Sequence, residues 1–237
     1  MIYVSHFIGL SGIGGVQLNF TEYFNNQYKL DNKIKHKVYT LGDVDHQYKI
    51  PAEIYNIMKL KNLLSLILDI ISSKVIVHFY NNLTSVKLFI LLFFFPVKKI
   101  ILHERGAVWN LPSSRKILLK FVSWKADLIL ANSNATKIML EKKFNIYEKK
   151  IIVIYNGVDI KKKCIKKNTI RKSYPIFRVG FIGRLDTPKG VHVLINAMYH
   201  LRNKNIKLVI AGEGVLEHML KKNAAKLNNV QFIGRVK

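Results

Sequence analysis

FRVGFIGRLDTPKG (residues 177–190), VHVLINAM (191–198) and KLVIAGEG (207–214) decide how this chain folds. An apolar run, Val179–Ile182, leads into Gly183 and then into two cations, Arg184 and Lys189. Apolar residues at Val191, Leu194, Ile195, Met198 and Leu201 follow at the spacing of one buried helix face. A second apolar strand, Leu208–Ala211, stops at Gly212-Glu213-Gly214. A strand–loop–helix–strand unit with glycines at its strand ends suits a phosphate-bearing ligand. Glycine lets backbone approach closely, and a helix N-terminus offers free N–H groups to an anion. Arg184 and Lys189 would each add a charge-assisted hydrogen bond of roughly 1.5–3 kcal/mol.

Upstream, the same alternation runs from the first residues. Ile2–Ile8 reads as a strand, Gly9, Gly12, Gly14 and Gly15 as a glycine-rich loop, and Val16–Leu30 as a helix. His36–Leu41 is a strand, Asp43–Pro51 a polar loop, and Ile54–Ile71 a helix with a polar stripe at Lys59, Asn62, Ser65, Asp69 and Ser72. Val75–Tyr80 is a strand and Leu83–Phe95 a buried helix; Lys99–His103 is a strand that ends in His103-Glu104-Arg105. Ser113–Trp124 is helical, Asp127–Ala131 a strand, and Asn134 caps a helix over Ala135–Phe144; Ile151–Tyr155 is a strand ending in Asn156-Gly157. Strands and helices alternate, and most strands are continuous apolar runs, the pattern of a parallel sheet covered on both faces. Residues 160–174 break that rhythm with Lys161, Lys162, Lys163, Lys166, Lys167, Arg171 and Lys172 and little apolar content. The expected class is therefore α/β, with two Rossmann-like parallel αβα domains: residues 1–160, a basic linker at 161–174, and a partial second domain at 175–237.

The chain has 237 residues and a net charge of +25, from 39 Lys and Arg against 14 Asp and Glu. That excess calls for an anionic partner, or is a basic solvated surface. One cysteine, Cys164, excludes an internal disulfide and a cysteine-based zinc cluster and fits a reducing compartment. No basic leader with a cleavage site precedes Ile2–Ile8, and the apolar run Leu88–Phe95 is too short to span a bilayer. The expected location is the cytoplasm, with contact at the inner face of the cell membrane as a further expectation. Nucleic acid is not expected as a partner: the basic run has no interleaved aromatics, and no helix-turn-helix, RNP or zinc pattern is present.

The other motifs differ in weight. The loop Gly9-x-x-Gly12-x-Gly14-Gly15 leaves a strand and enters a helix, the context for an anion cradle, yet Gln17 stands where a dinucleotide fingerprint needs its third glycine. His103, Glu104 and Arg105 emerge together where a buried strand ends, the edge that carries ligands in open α/β sheets. Asp43-Val44-Asp45 has the spacing of a cation-binding pair but no supporting ligand nearby, and reads as solvated loop carboxylates.

With these residues in place, the chain resembles the GT-B glycosyltransferases of family 4, the glycosyl transferases group 1 superfamily. Four stretches carry the likeness: Gly14-Gly15-Val16; Ala131-Asn132-Ser133 with Ala135-Thr136; Tyr155-Asn156-Gly157-Val158-Asp159; and Phe181-Ile182-Gly183-Arg184-Leu185 with Lys189-Gly190, Val209–Gly214 and Val230–Gly234. The resemblance implies an acceptor-side N-terminal domain and a C-terminal domain for a nucleotide-sugar donor. It implies that Arg184 and Lys189 neutralise the donor diphosphate and that Gly14 and Gly15 touch it. It places His103 beside the transferred sugar, with Gly183 in the phosphate loop and Gly212 and Gly214 near the base. It implies sugar transfer to a glycan or lipid-linked acceptor in surface polysaccharide or lipopolysaccharide biosynthesis, with retention of anomeric configuration, no metal and no cofactor beyond the nucleotide-sugar co-substrate. The family's E-x7-E segment would follow Ile233 and is not in this sequence, and the proline expected after Gly-x-Gly is Val215. The donor-side domain is thus read as incomplete. The competing reading is a non-catalytic module that binds nucleotide-sugar or an anionic membrane.

Overall fold

The structure, a computed structural model, describes residues 2–11, 14–27, 33–46, 48–71, 75–80, 94–95, 97–105, 113–157 and 175–236. It divides into two compact units, Met1–Cys164 and Ile165–Lys237. The basic stretch at 161–174 and most of the helix expected at Leu83–Phe95 lie outside the described residues. Of that helix's last residues, Phe94 is exposed.

Unit 1 is built on seven parallel strands: β1 (Ile2–Phe7), β2 (Ile34–Thr40), β3 (Glu53–Asn56), β4 (Val75–Tyr80), β5 (Lys99–Glu104), β6 (Leu128–Ala131) and β7 (Ile151–Val153), in the order β3-β2-β1-β4-β5-β6-β7. Four helices are described: α1 (Gly15–Gln27), α2 (Leu60–Ile71), α3 (Ser113–Lys125) and α4 (Asn134–Phe144). Successive side chains on a strand point to opposite faces. One face therefore carries Phe7, Val77, Phe79, Leu102 and Ile129, packed with Leu66 and Ile70 of α2, Leu119 and Val122 of α3, and Leu140 and Phe144 of α4. The other face meets α1, whose Phe20 and Phe24 are fully buried. The strand order reverses direction between β1 and β4, which opens a crevice outside the carboxyl ends of those two strands.

Two local readings are corrected. The helix expected over Ile54–Ile71 begins only at Leu60, because Glu53–Asn56 pairs in parallel with β2 as an edge strand. Ile54 and Tyr55 favour a pleated surface. Asn56 ends the strand, its Oδ1 accepting from the Met58 N–H at 3.0 Å and its carbonyl accepting from Asn62 Nδ2 at 2.8 Å. The second correction is the cap of α4, which is Ser133 rather than Asn134: Ser133 Oγ accepts from the Thr136 N–H at 3.2 Å. Of the polar stripe on α2, Asp69 has a partner in the sheet: Lys37 Nζ lies 2.7 Å away and the buried Tyr39 hydroxyl donates at 2.9 Å.

Unit 2 holds three parallel strands, β8 (Phe177–Ile182), β9 (Ile206–Ala211) and β10 (Val230–Gly234), in the order β10-β9-β8, with α5 (Val191–His200) and α6 (Glu217–Ala224). The periodic residues of α5 do what their spacing implies: Val191, Ile195 and Met198 are buried against Leu208 and Ile210 of β9 and Leu220 of α6. Both units are thus parallel α/β sheets, as the alternating sequence pattern implies.

Candidate functional site

In unit 1 the residues that matter stand where the strands end. His103 and Arg105 are two residues apart on β5 and its exit, so they share a face, while Glu104 between them turns to the opposite face and is completely buried. The expectation that all three emerge together therefore fails for Glu104, by the strand's alternation alone. His103 and Arg105 line a cavity of about 410 Å³. Its other walls are Tyr80 at the end of β4, the segment after β7 at Ile154, Tyr155 and Gly157, and a stripe of α1 made by Asn19, Glu22, Tyr23 and Asn26. That stripe has the i, i+3, i+4, i+7 spacing of one helix face. This periodicity, in the first helix after a glycine loop, was the sequence signal that could have disclosed it.

Arg105 is held by residues from two of the family-like stretches. Its Nη2 donates to Asn156 Oδ1 at 2.6 Å, and its carbonyl accepts from Asn132 Nδ2 at 3.4 Å. Asn132 is fixed in turn by the Thr136 hydroxyl, which donates to its Oδ1 at 2.8 Å. Burial lowers the Arg105 pKa, and the neighbouring Tyr80 opposes that shift. Burial pushes the Tyr80 phenol up. His103 is 7% exposed, and neither ring nitrogen has a hydrogen-bond partner among the described residues. Burial, then the Arg105 charge, lowers its pKa to about 4. At neutral pH it is an uncharged imidazole that offers one donor and one acceptor to whatever enters the cavity.

Behind His103 runs a row of imidazoles across four adjacent strands. His78 of β4 stacks on His103 at 5.8 Å between centroids with planes 6° apart, and His6 of β1 lies 5.4 Å from His78. His36 of β2 stacks on His6 at 5.2 Å, the two joined by an Nε2···Nδ1 hydrogen bond of 2.9 Å. Phe20 and Phe24 of α1 close over His6 edge-on. Burial, then His103 and Arg105, lowers the His78 pKa to about 3; burial, then His78 and His36, holds His6 well below its ordinary value.

Gly14 and Gly15 stand at the start of α1 and do not line the cavity. Among the described residues a Cβ on Gly14 would meet only the Gln17 side chain, and one on Gly15 would meet nothing within 4 Å. Gln17 Nε2 donates instead to the Gly9 carbonyl at 3.0 Å, tying the loop back to the helix. The carboxylates Asp43 and Asp45 form no cluster with further ligands: among the described residues no group of three or more His, Cys, Asp or Glu could hold a metal ion.

Unit 2 gathers Gly183, Arg184, Lys189, Gly212 and Gly214 at the carboxyl ends of β8 and β9. Leu185 is fully buried and anchors the loop between them. The backbone closes it: Gly183 N–H donates to the Ala211 carbonyl at 3.0 Å, Leu185 N–H to that of Glu213 at 2.9 Å, and Leu216 N–H to that of Leu185 at 3.0 Å. This approach is what demands two of the glycines. A Cβ on Gly212, whose φ is 144°, would lie 1.8 Å from the Gly183 carbonyl oxygen, and one on Gly214 would lie 2.5 Å from that of Leu185. A 3-10 turn at Thr187–Lys189 and Gly190, at φ 67°, then turn the chain into α5. Arg184 is largely exposed and paired with Asp186 at 3.0 Å. Lys189 is exposed and forms no ion pair among the described residues. An exposed cation, a second cation paired with Asp186 and a helix start converge on one loop, an arrangement that can hold a phosphate group.

Two parallel α/β units with polar groups at strand carboxyl ends define the general class of open α/β proteins, which take their ligands at that edge. The comparisons narrow this. The family Glycosyltransferase Family 4 matches residues 54–162 and the family Glycosyl transferases group 1 matches residues 161–237. The chain belongs to these family 4, group 1 glycosyltransferases. The N-acetylgalactosamine-N,N'-diacetylbacillosaminyl-diphospho-undecaprenol 4-alpha-N-acetylgalactosaminyltransferase of Campylobacter jejuni is 34% identical over 116 residues, 48% of this chain and 30% of that protein. The O-antigen biosynthesis glycosyltransferase WbnH of Escherichia coli is 29% identical over 120 residues, 51% of this chain and 33% of that protein. The matches thus span about a third of the length of these relatives. Among solved structures, Anabaena Alr3699/HepE in complex with UDP and glucose aligns with TM-score 0.70 at 17% identity, over 100% of this chain and 70% of that one. A glycosyltransferase from Rickettsia africae aligns with TM-score 0.73 at 19% identity, over 100% and 69%. Both likenesses are of fold.

Proposed function

We propose that this chain is the acceptor-side unit and part of the donor-side unit of a glycosyltransferase. It moves a sugar from a nucleotide-sugar donor to a glycan or lipid-linked acceptor in the building of a surface polysaccharide, lipopolysaccharide or O-antigen. The observation that carries the reading is the cavity of about 410 Å³ in a chain of this family, with the uncharged, unpartnered His103 and the Asn156-held Arg105 in its wall. Aromatic rings at Tyr23, Tyr80 and Tyr155, with amides and a carboxylate on α1, suit a sugar, which needs both stacking surface and hydrogen-bond partners.

In this reading the loop of Gly183, Arg184 and Lys189 receives the donor diphosphate. As the sugar–phosphate bond breaks, charge grows on the departing diphosphate; Lys189, Arg184 and the start of α5 stabilise that charge in place of a metal ion. His103 meets the sugar as a neutral hydrogen-bonding group. Retention of anomeric configuration belongs to the same proposal, as does work at the cytoplasmic face, where the +25 charge would favour anionic lipid. Among the described residues no helix is long and apolar enough to cross a membrane. The Campylobacter relative, named for a diphospho-undecaprenol substrate, supports a lipid-linked acceptor.

The test is binding of UDP, GDP and ADP by calorimetry to wild type and to Lys189→Ala. Loss of one charge-assisted hydrogen bond lowers affinity for the preferred diphosphate by about 10- to 100-fold, with the circular dichroism spectrum unchanged. Equal affinity in both proteins overturns the assignment of this loop.

A further inference from the structure

We propose a second anion site on unit 2, at the amino edge of its sheet, that binds a segment of acidic glycan. Between residues 175 and 236 there are ten Lys and Arg against three acidic residues. The acids are segregated. Asp186, Glu213 and Glu217 all follow the carboxyl ends of β8 and β9, and Asp186 and Glu217 are taken up by Arg184 and Lys221. Among the described residues the opposite edge has no acid. A cavity of about 370 Å³ opens there, ringed by Arg202 and Lys204 in the turn after α5, Lys207 at the start of β9 and Lys226 after α6. None of these four forms an ion pair among the described residues. Arg202 is nevertheless positioned: its guanidinium sits 4.6 Å from the Tyr199 ring centroid and donates to the Tyr199 carbonyl at 3.2 Å.

The rest of the wall decides the class of ligand. Asn203, Asn205, Asn228 and Asn229 contribute four carboxamides, groups that exchange hydrogen bonds with hydroxyls. Asn229 Oδ1 is buried with no hydrogen-bond partner among the described residues. A carbonyl oxygen in that state needs a donor, which a sugar hydroxyl supplies and a fully ionised phosphate or sulfate does not. Among the described residues no aromatic side chain lines the cavity, so a nucleic-acid base has nothing to stack on. The two apolar residues there, Ile176 and Ile206, are too few to enter a bilayer. A strand of six residues at about 3.3 Å each separates this edge from the Arg184–Lys189 loop by roughly 20 Å. The two anion sites are therefore distinct. Synthesis of a surface glycan offers a source for such a ligand, but the binding stands independently of that reading.

The probe is a sulfated hexasaccharide, titrated by calorimetry at about 50 mM salt, where exposed charges are weakly screened. The expected result is that Lys204→Gln/Lys207→Gln/Lys226→Gln weakens binding about tenfold or more. Lys221→Gln/Lys222→Gln/Arg235→Gln, which removes the same charge elsewhere on the unit, would weaken it less than about threefold. Asn229→Ala weakens the hexasaccharide and leaves inorganic sulfate, which has no hydrogen to donate, unchanged. UDP affinity, whether present or absent in the wild type, is the same in the first triple variant. Equal weakening by both triple variants overturns the proposal in favour of bulk charge. Inorganic phosphate binding as tightly as the hexasaccharide overturns it in favour of a bare anion site. Loss of anionic-vesicle binding in the first triple variant, without loss of hexasaccharide binding, overturns it in favour of a membrane contact.

Discussion

Acidification should unfold unit 1 through its row of imidazoles. His6, His78 and His103 are held below the ordinary histidine value of 6.5 because burial penalises their charged forms, His78 at about 3 and His103 at about 4. The folded state thus excludes protons that the unfolded chain accepts, and stability falls as pH drops below 6.5 and continues to fall until the folded values are reached. His78 and His103 each give up RT ln 10, or about 1.4 kcal/mol, between about pH 7.5 and about pH 5.5, because the unfolded group goes from mostly neutral to about ten-to-one protonated while the folded one stays neutral. His78 and His103 together lose about 2.7 kcal/mol, a large part of a typical domain's 5–15 kcal/mol, and His6 adds a loss in the same direction. His78→Phe keeps a flat ring between His6 and His103 and removes one titrating group, so its loss over the same range should be smaller by about 1.4 kcal/mol. The assay is urea denaturation followed by tryptophan fluorescence, since both tryptophans, Trp109 and Trp124, belong to unit 1. Unchanged stability between the two pH values, or an undiminished loss in His78→Phe, would refute the reasoning.

Two further outcomes follow from local geometry. Gly212→Ala drives a Cβ to 1.8 Å from the Gly183 oxygen at a φ few side chains adopt, and should cost roughly 3 kcal/mol or more. Circular dichroism should show early loss of unit 2 with the tryptophan transition of unit 1 unmoved; wild-type melting in this variant contradicts the close approach of the two loops. Ser133→Ala removes the cap of α4 and should lower unit 1 stability by about 1 kcal/mol in urea, whereas Asn134→Ala, outside the cap, should cost less.

Much of the fold can be read from local pattern because each βα unit repeats one rule. Val75–Tyr80, Lys99–His103 and Val230–Ile233 announce themselves as strands by apolar runs, and α5 by the spacing of Val191, Ile195 and Met198, since those periods follow from backbone geometry. Ile54–Asn56 misleads because a short apolar run beside a helix suits either period until a neighbouring strand is there to pair with it. The loop of Gly183, Arg184 and Lys189 is likewise legible, since all its parts lie within a few residues of one strand end. The cavity is not: Asn19, Tyr80, His103 and Tyr155 come from four separate segments, and only the sheet order brings them to one wall. The same holds for the imidazole row, whose four histidines are spread from residue 6 to residue 103 and share a face through strand register. Spacing along a chain sets which face of its own element a side chain takes. Which other elements that face meets is settled by packing, and so the contents of the cavity belong to the tertiary structure alone.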